Sequence, residues 1–316
     1  MSHYEHKHKT SLRGRLAFRL VRSVVRGWPL DDNAALVRRA RRIFERHSLL
    51  RDLLVRGITI EPVNAEVKGE WHKPKKLRLP DSVLLYFHGG GYVSCSPRTH
   101  RPITAALARR IGCRVFSLDY RRAPEHPFPA PVEDALNAVQ WLLKSGIKPE
   151  KLALAGDSAG GGLAIATLVQ LRDRGDPLPA CAACISPWVD LLGEYKVTNP
   201  KSCAMFTFEE GRCFAKVYLN GASGSSPMAS PVMADLHGLP PLLIQAADTE
   251  LLYDDAVRLN EKALASGVQS RLHIYPGLPH VWQMFGMALP EASAALKEIA
   301  EFISEKIGAS AQTAVR

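Results

Sequence analysis

Hydrophobic and polar positions along the chain fall into two alternating patterns. From about residue 58 onward, short apolar runs alternate with helix-length amphipathic segments. The runs "SVLLYF" (82–87), "CRVFSLDY" (113–120), "KLALAG" (151–156), "CAACIS" (181–186), "PLLIQAA" (241–247) and "SRLHIY" (270–275) read as strands. Helical patterns lie between or after them, near 100–111, 131–145, 159–174, 251–266 and 290–307. Gly112, Gly146, Gly175 and Gly267 follow four of these, where a left-handed cap wants glycine. Such alternation predicts an α/β fold, a mostly parallel central sheet with helices on both faces. The stretch "GITIEPVNAEVKGEWH" (57–72) reads instead as an antiparallel hairpin at the sheet edge.

Two segments fall outside the alternation. Residues 10–56 predict two helices separated near "GWPLDD", with Asp31 or Asp32 as the second N-cap. Residues 188–235 lie between two strands and are too long for an ordinary crossover, as lids and binding loops often are. The expected organisation is an N-terminal helical cap segment, 1–56, and a catalytic domain, 57–316, with a cap insertion at about 188–235.

Charge sharpens this division. The net +10 is uneven: residues 1–56 hold 14 Lys and Arg against 5 Asp and Glu, and the remainder 27 against 26. The nearly neutral body and the lack of any zinc-finger or RNA-recognition signature argue against a nucleic-acid partner. No apolar run approaches the ~20 residues that cross a bilayer. Arginines interrupt the N-terminal apolar stretch, which makes a poor secretory signal, so the expected location is the cytoplasm. Within 15–28, Arg15, Arg19, Arg22 and Arg26 fall on one helical face, with Phe18, Val21, Val24, Val25 and Trp28 on the other. Two readings stand: a cap helix packed by its apolar face, or a helix resting peripherally on an anionic membrane at the inner face. The six cysteines do not form a disulfide framework. Cys181 and Cys184 make a C-x-x-C inside a strand pattern and read as packing residues, with no second pair to complete a metal site. His3, His6 and His8 lie in a polar leader expected to remain outside the fold.

Candidate chemistry gathers at the C-terminal ends of the strands, where ligands of such sheets bind. In "GDSAG" (156–160), Gly156 and Gly160 bracket Ser158 between a strand and an alanine-rich helix. Small neighbours at so sharp a turn let the elements crowd together and expose the hydroxyl. "HGGGY" (88–92) follows another strand. It lacks the pattern of a phosphate loop and suits an oxyanion hole: N–H groups of Gly90 and Gly91, with Gly89 as a further candidate, joined by Ala159. Asp248 stands at the end of "PLLIQAA" as the candidate triad carboxylate, with Glu250, Asp254 and Asp255 as rivals assigned to the next helix. His280 lies in a loop beyond the last strand and completes the order Ser…Asp…His.

With these motifs in place, the sequence resembles the hormone-sensitive-lipase-like family of α/β-hydrolases. "HGGGY" (88–92), "DYRRAPEHPFPAPVEDA" (119–135), "GDSAGG" (156–161), "SPWVDL" (186–191), "DTELL" (248–252) and "PHVW" (279–282) carry the resemblance. Within the family it is most similar to bacterial acetyl hydrolases and monoterpene lactone hydrolases. The resemblance implies a cofactor-free, metal-free carboxylesterase for short- to medium-chain acyl esters, with an N-terminal helical cap. It implies Ser158 as nucleophile, His280 as acid–base, Asp248 as its orienting partner, and Asp157 and Glu125 as loop supports. Thr249 and Glu250 replace a frequent Pro-Leu, Val281-Trp282 a frequent Gly-Phe, and Arg122 a frequent apolar residue. A lactonase, or a non-catalytic ligand-binding protein of the same fold, is the rival reading. The expected partner is a small-molecule ester, and the last strand and helix offer an edge for a homodimer.

Overall fold

Strands made only of apolar residues bury both faces, and such strands belong in the middle of a covered parallel sheet. The computed structural model, which describes residues 4–6, 10–26, 33–45, 55–193, 198 and 202–309, has that arrangement. In chain order the elements are β1 (Tyr4–His6), α1 (Leu12–Val25), α2 (Asn33–Phe44), β2 (Ile58–Asn64), β3 (Lys68–Pro74), β4 (Val83–Phe87), α3 (Pro97–Leu107) and β5 (Arg114–Leu118). There follow α4 (Ala130–Lys144), β6 (Leu152–Asp157), α5 (Ala159–Asp173), β7 (Cys181–Ile185), α6 (Phe208–Leu219), β8 (Leu242–Ala247), α7 (Tyr253–Ala265), β9 (Ser270–Tyr275) and α8 (Pro290–Ala309). Among the described residues the sheet has nine strands in the order β1-β9-β8-β7-β6-β4-β5-β3-β2. All neighbours from β1 to β5 run parallel, and the β2–β3 hairpin adds antiparallel to β5 as expected.

Side-chain alternation divides the core between the two faces of the sheet. Val83, Leu85 and Phe87 of β4 join the α4, α5 and α7 side, whereas Leu84 and Tyr86 join α3 and α8 on the other. The same period settles the C-x-x-C. Cys181 packs in one core and Cys184 in the other, so the two thiols lie on opposite faces. Burial pushes both thiols up to about 12, which is the chemistry of packing residues. The predicted helix-ending residues Gly112, Gly146, Gly175 and Gly267 all have positive φ, between 71° and 92°.

The N-terminus departs from expectation. Tyr4–His6, expected to stay outside the fold, pair in parallel with Leu272–Ile274 of β9. The outer edge of β9 would otherwise present a row of unpaired backbone groups, and the leader covers it. On the edge anticipated for a homodimer, Leu272–Ile274 are thus paired within the chain. Asp31, Asp32 and Trp28 lie outside the described residues. The α1 helix begins within the predicted span, with Ser11 as N-cap accepting the Gly14 N–H.

Backbone approaches backbone closely in the core where α5 leaves β6. A Cβ on Gly160 would overlap the carbonyl oxygen of Phe87, and one on Gly156 would overlap that of Gly160. Gly160→Ala should therefore cost about 3 kcal/mol. Gly308→Ala, at a helical position with nothing within 4 Å, should be neutral or slightly stabilising. Urea unfolding of the two variants measures the contrast.

Candidate active site

Ser158 sits between β6 and α5 with φ 53° and ψ −121°, a combination that a residue with a Cβ rarely adopts. Surrounding hydrogen bonds hold it there. Its N–H donates to Ile185 O at 2.8 Å, and its carbonyl accepts from Gly161, Gly162 and Trp188 N–H at 3.0, 3.2 and 2.9 Å. The small-residue crowding around Gly156 and Gly160 thus serves one purpose, turning the chain sharply with the serine at its apex.

Gly90 and Gly91 line the same cavity as Ser158, with φ of 112° and 63°. Among the described residues no hydrogen bond engages either N–H. Ala159 is the first residue of α5, whose leading N–H groups have no acceptor within the helix. Gly89, the further candidate donor, is already engaged. Its N–H donates to Asp157 Oδ1 at 3.1 Å, so that donor is spent on holding the loop. Asp157 Oδ1 also accepts from the Tyr86 hydroxyl at 2.7 Å, and its Oδ2 lies 3.1 Å from His100 Nε2. Burial opposes charge on Asp157, but the His100 interaction and the Tyr86 bond outweigh it and hold the carboxyl below its ordinary range. His88, buried and stacked on Tyr120 at 4.2 Å, is pushed far below the ordinary histidine range, first by burial and then by His100.

His280 is buried in this cavity, and the carboxylate that meets it is not the expected one. His280 Nδ1 lies 2.5 Å from Glu250 Oε2, and Glu250 Oε1 accepts the Ala247 N–H at 2.8 Å. Asp248, expected to orient the ring, turns its Oδ1 to the Gly277 N–H at 2.7 Å and thereby pins the loop beyond β9. The cause lies in the local backbone. Helix α7 begins only at Tyr253, so residues 248–252 form turns and Glu250 is not carried into the helix. Glu250, three residues past the end of β8, turns back toward the sheet, and its longer side chain reaches both the Ala247 N–H and the His280 ring. His280 Nε2 is buried with no hydrogen-bond partner among the described residues.

The cavity is about 140 Å³ and its wall is largely apolar, with Phe44, Trp188, Phe206, Phe208, Phe214 and Leu252 prominent. Phe206 packs edge-on against His280 at 5.6 Å and tilts against Phe44 of α2 at 6.1 Å. The α2 helix is bolted to the loops below. Arg41 forms a two-pronged pair with Glu125 at 2.8 and 2.6 Å and donates to Val93 and Ala123 carbonyls at 2.9 and 3.1 Å. That pairing is the main reason the Glu125 carboxyl falls to about 2. Glu45 accepts the Cys95 N–H at 3.0 Å. Arg122, which has no counterpart in the resemblance, donates to the Cys95 carbonyl and stands between Glu45 and Asp119.

This fold and site define the class. The profile of the alpha/beta hydrolase fold family matches residues 84–284. An acetyl-hydrolase of Streptomyces hygroscopicus is 44% identical over 76% of this chain and 80% of its own length. An esterase of Acinetobacter venetianus is 35% identical over 78% and 82%. A crystal structure of an esterase from the bacterial hormone-sensitive lipase family superposes with a TM-score of 0.85 at 41% identity, covering 95% of this chain and 100% of that one. The chain belongs to the α/β-hydrolase family, in its branch of bacterial hormone-sensitive-lipase esterases.

Below Trp188 the cavity wall rests on a buried acid. Asp255 Oδ2 accepts the N–H groups of Val189 and Asp190 at 2.8 and 3.0 Å. Burial raises its pKa to about 8 against these bonds, and the Asp190 carboxylate adds to the rise. An unfolded aspartate titrates near 4, so between about pH 4 and 8 the native state keeps a proton that the unfolded state releases. Stability should therefore fall as pH rises through that window. Asp255→Asn keeps an acceptor for both N–H groups and has no such proton. Its urea midpoint should fall less than the wild-type midpoint between about pH 5 and pH 9, and parallel profiles would rule the protonated state out.

Proposed function

We propose that the protein hydrolyses carboxylic esters of short to medium acyl chains through Ser158, His280 and Glu250. The observation that carries this reading is the state of the His280 ring. Its Nδ1 is held by a buried carboxylate, and its Nε2 is unpaired inside a cavity that also contains the strained Ser158. That is the arrangement of a base whose tautomer is fixed on one side and whose other nitrogen is available for proton transfer. The esterase relatives support the coarse activity, and the modest apolar cavity supports the acyl range.

In the mechanism, His280 Nε2 takes the Ser158 hydroxyl proton as the oxygen attacks the ester carbonyl. Glu250 stabilises the imidazolium without accepting its proton. The developing oxyanion sits against the N–H groups of Gly90, Gly91 and Ala159. His280 then gives its proton to the leaving alcohol, and water repeats the cycle on the acyl-enzyme. Asp248 supports the loop that carries His280 and takes no part in the proton transfers.

Turnover of p-nitrophenyl acetate, butyrate, octanoate and palmitate by wild type and three variants tests the assignment. Ser158→Ala should lose at least about 10⁴-fold in kcat. Glu250→Gln should lose roughly 10²–10⁴-fold, with KM little changed. Asp248→Asn, which keeps an acceptor for Gly277, should stay within about threefold of wild type, since it leaves the proton path intact. A large loss in Asp248→Asn with near-normal Glu250→Gln would restore Asp248 as the orienting acid. Turnover of lactones in preference to every open-chain ester would replace the ester assignment with lactone hydrolysis.

A further inference from the structure

The described residues leave six large apolar side chains exposed, and four of them stand on one helix. Leu12, Leu16, Leu20 and Val24 of α1 are 73%, 55%, 61% and 52% exposed. Their spacing of four places them in a single row along the helix. They are not the face that joins α1 to the protein. Gly14 is buried against Leu278 and Glu291, and Ala17, Phe18, Val21 and Val25 are half-buried beside it. The α1 helix therefore has two apolar rows, one docked and one outward, and packing as a cap accounts for only the first.

Charge identifies what the outward row meets. Arg13, Arg15, Arg19 and Arg22 are all exposed, and residues 12–26 contain no Asp or Glu. An apolar row beside an unbroken set of arginines suits a surface that is apolar beneath and anionic above. In such a setting leucines enter the acyl boundary while guanidinium groups bind headgroup phosphates. A second copy of α1 fits less well, because a two-fold pairing would set arginines against arginines. We infer that the outward face of α1 docks the protein on anionic phospholipid bilayers. No helix among the described residues is long and apolar enough to cross a membrane, so the contact is peripheral.

Docking at α1 also reaches the substrate cavity. Arg26 donates to the Cys203 carbonyl at 2.5 Å, and Arg39 of α2 donates to the Val25 carbonyl. Met205 and Phe206, just beyond Cys203, line the cavity. The helix that meets lipid is thus fastened to the segment that encloses the acyl site. The docking inference stands on α1 alone and does not depend on the proposed activity.

Vesicle flotation of the full chain tests it, using phosphatidylcholine alone and phosphatidylcholine mixed with phosphatidylglycerol. The wild type should float with the mixed vesicles, remain unbound to neutral ones, and be released by raised salt. Arg15→Gln/Arg19→Gln/Arg22→Gln should bind about 100-fold more weakly, and Leu16→Ser/Leu20→Ser should show a loss of the same order. Unchanged thermal midpoints in both variants would tie these losses to the surface. Wild type that ignores both vesicles, or variants that bind like wild type, would overturn the inference. So would a wild-type dimer in equilibrium sedimentation that the leucine variant dissociates, because the row would then belong to a second copy.

Discussion

The carboxylate of Asp157 is the point on which the site depends. A charge buried this deeply is tolerable only if donors surround it, and here Tyr86, Gly89 and His100 supply them. Each donor comes from a different place: the interior of β4, the loop that follows it, and the first turn of α3. Asp157 is also the residue before Ser158, so the strained serine and the glycine loop share one anchor. Their relative placement is set by bonds that are satisfied before any substrate arrives, as preorganised stabilisation of an oxyanion requires.

A second set of bonds reaches the site from above. Arg41 and Glu45 tie α2 to Val93, Cys95 and Ala123, all of them on the loops that flank the glycines. From α2, Phe44 leans on Phe206, and Phe206 on the His280 ring. The α2 helix is therefore part of the wall that packs against the histidine ring. Arg122 belongs to this fastening through the Cys95 carbonyl.

Much of this was legible in the sequence because the decisive signals are local. Apolar runs marked the central strands to within a residue or two. The glycines around Ser158 encoded a close approach that needs no knowledge of the rest of the fold. The carboxylate that meets His280 was harder to place, since Asp248 and Glu250 differ only in how a five-residue turn is wound. That winding depends on where α7 nucleates and on the packing of the loop beyond β9. The engagement of the Gly89 N–H is hidden for a related reason: its acceptor, Asp157, stands far away in sequence. Pairing of the leader is hidden because three residues of polar sequence carry no strand signal, and the open edge of β9 dictates it. On α1, the row Leu12, Leu16, Leu20 was obscured by the stronger periodicity of the arginines.

The pairing of β1 with β9 has a consequence for folding. The strand around Tyr4 hydrogen-bonds with a strand around Leu272 that lies far along the sequence. Central strands pair with neighbours much nearer in sequence and can associate before this border forms. A contact between such distant segments must first overcome the entropy of closing the loop between them. Until β1 arrives, the rim of β9 stays open to pairing with another chain, and closing that seam is a late event in folding.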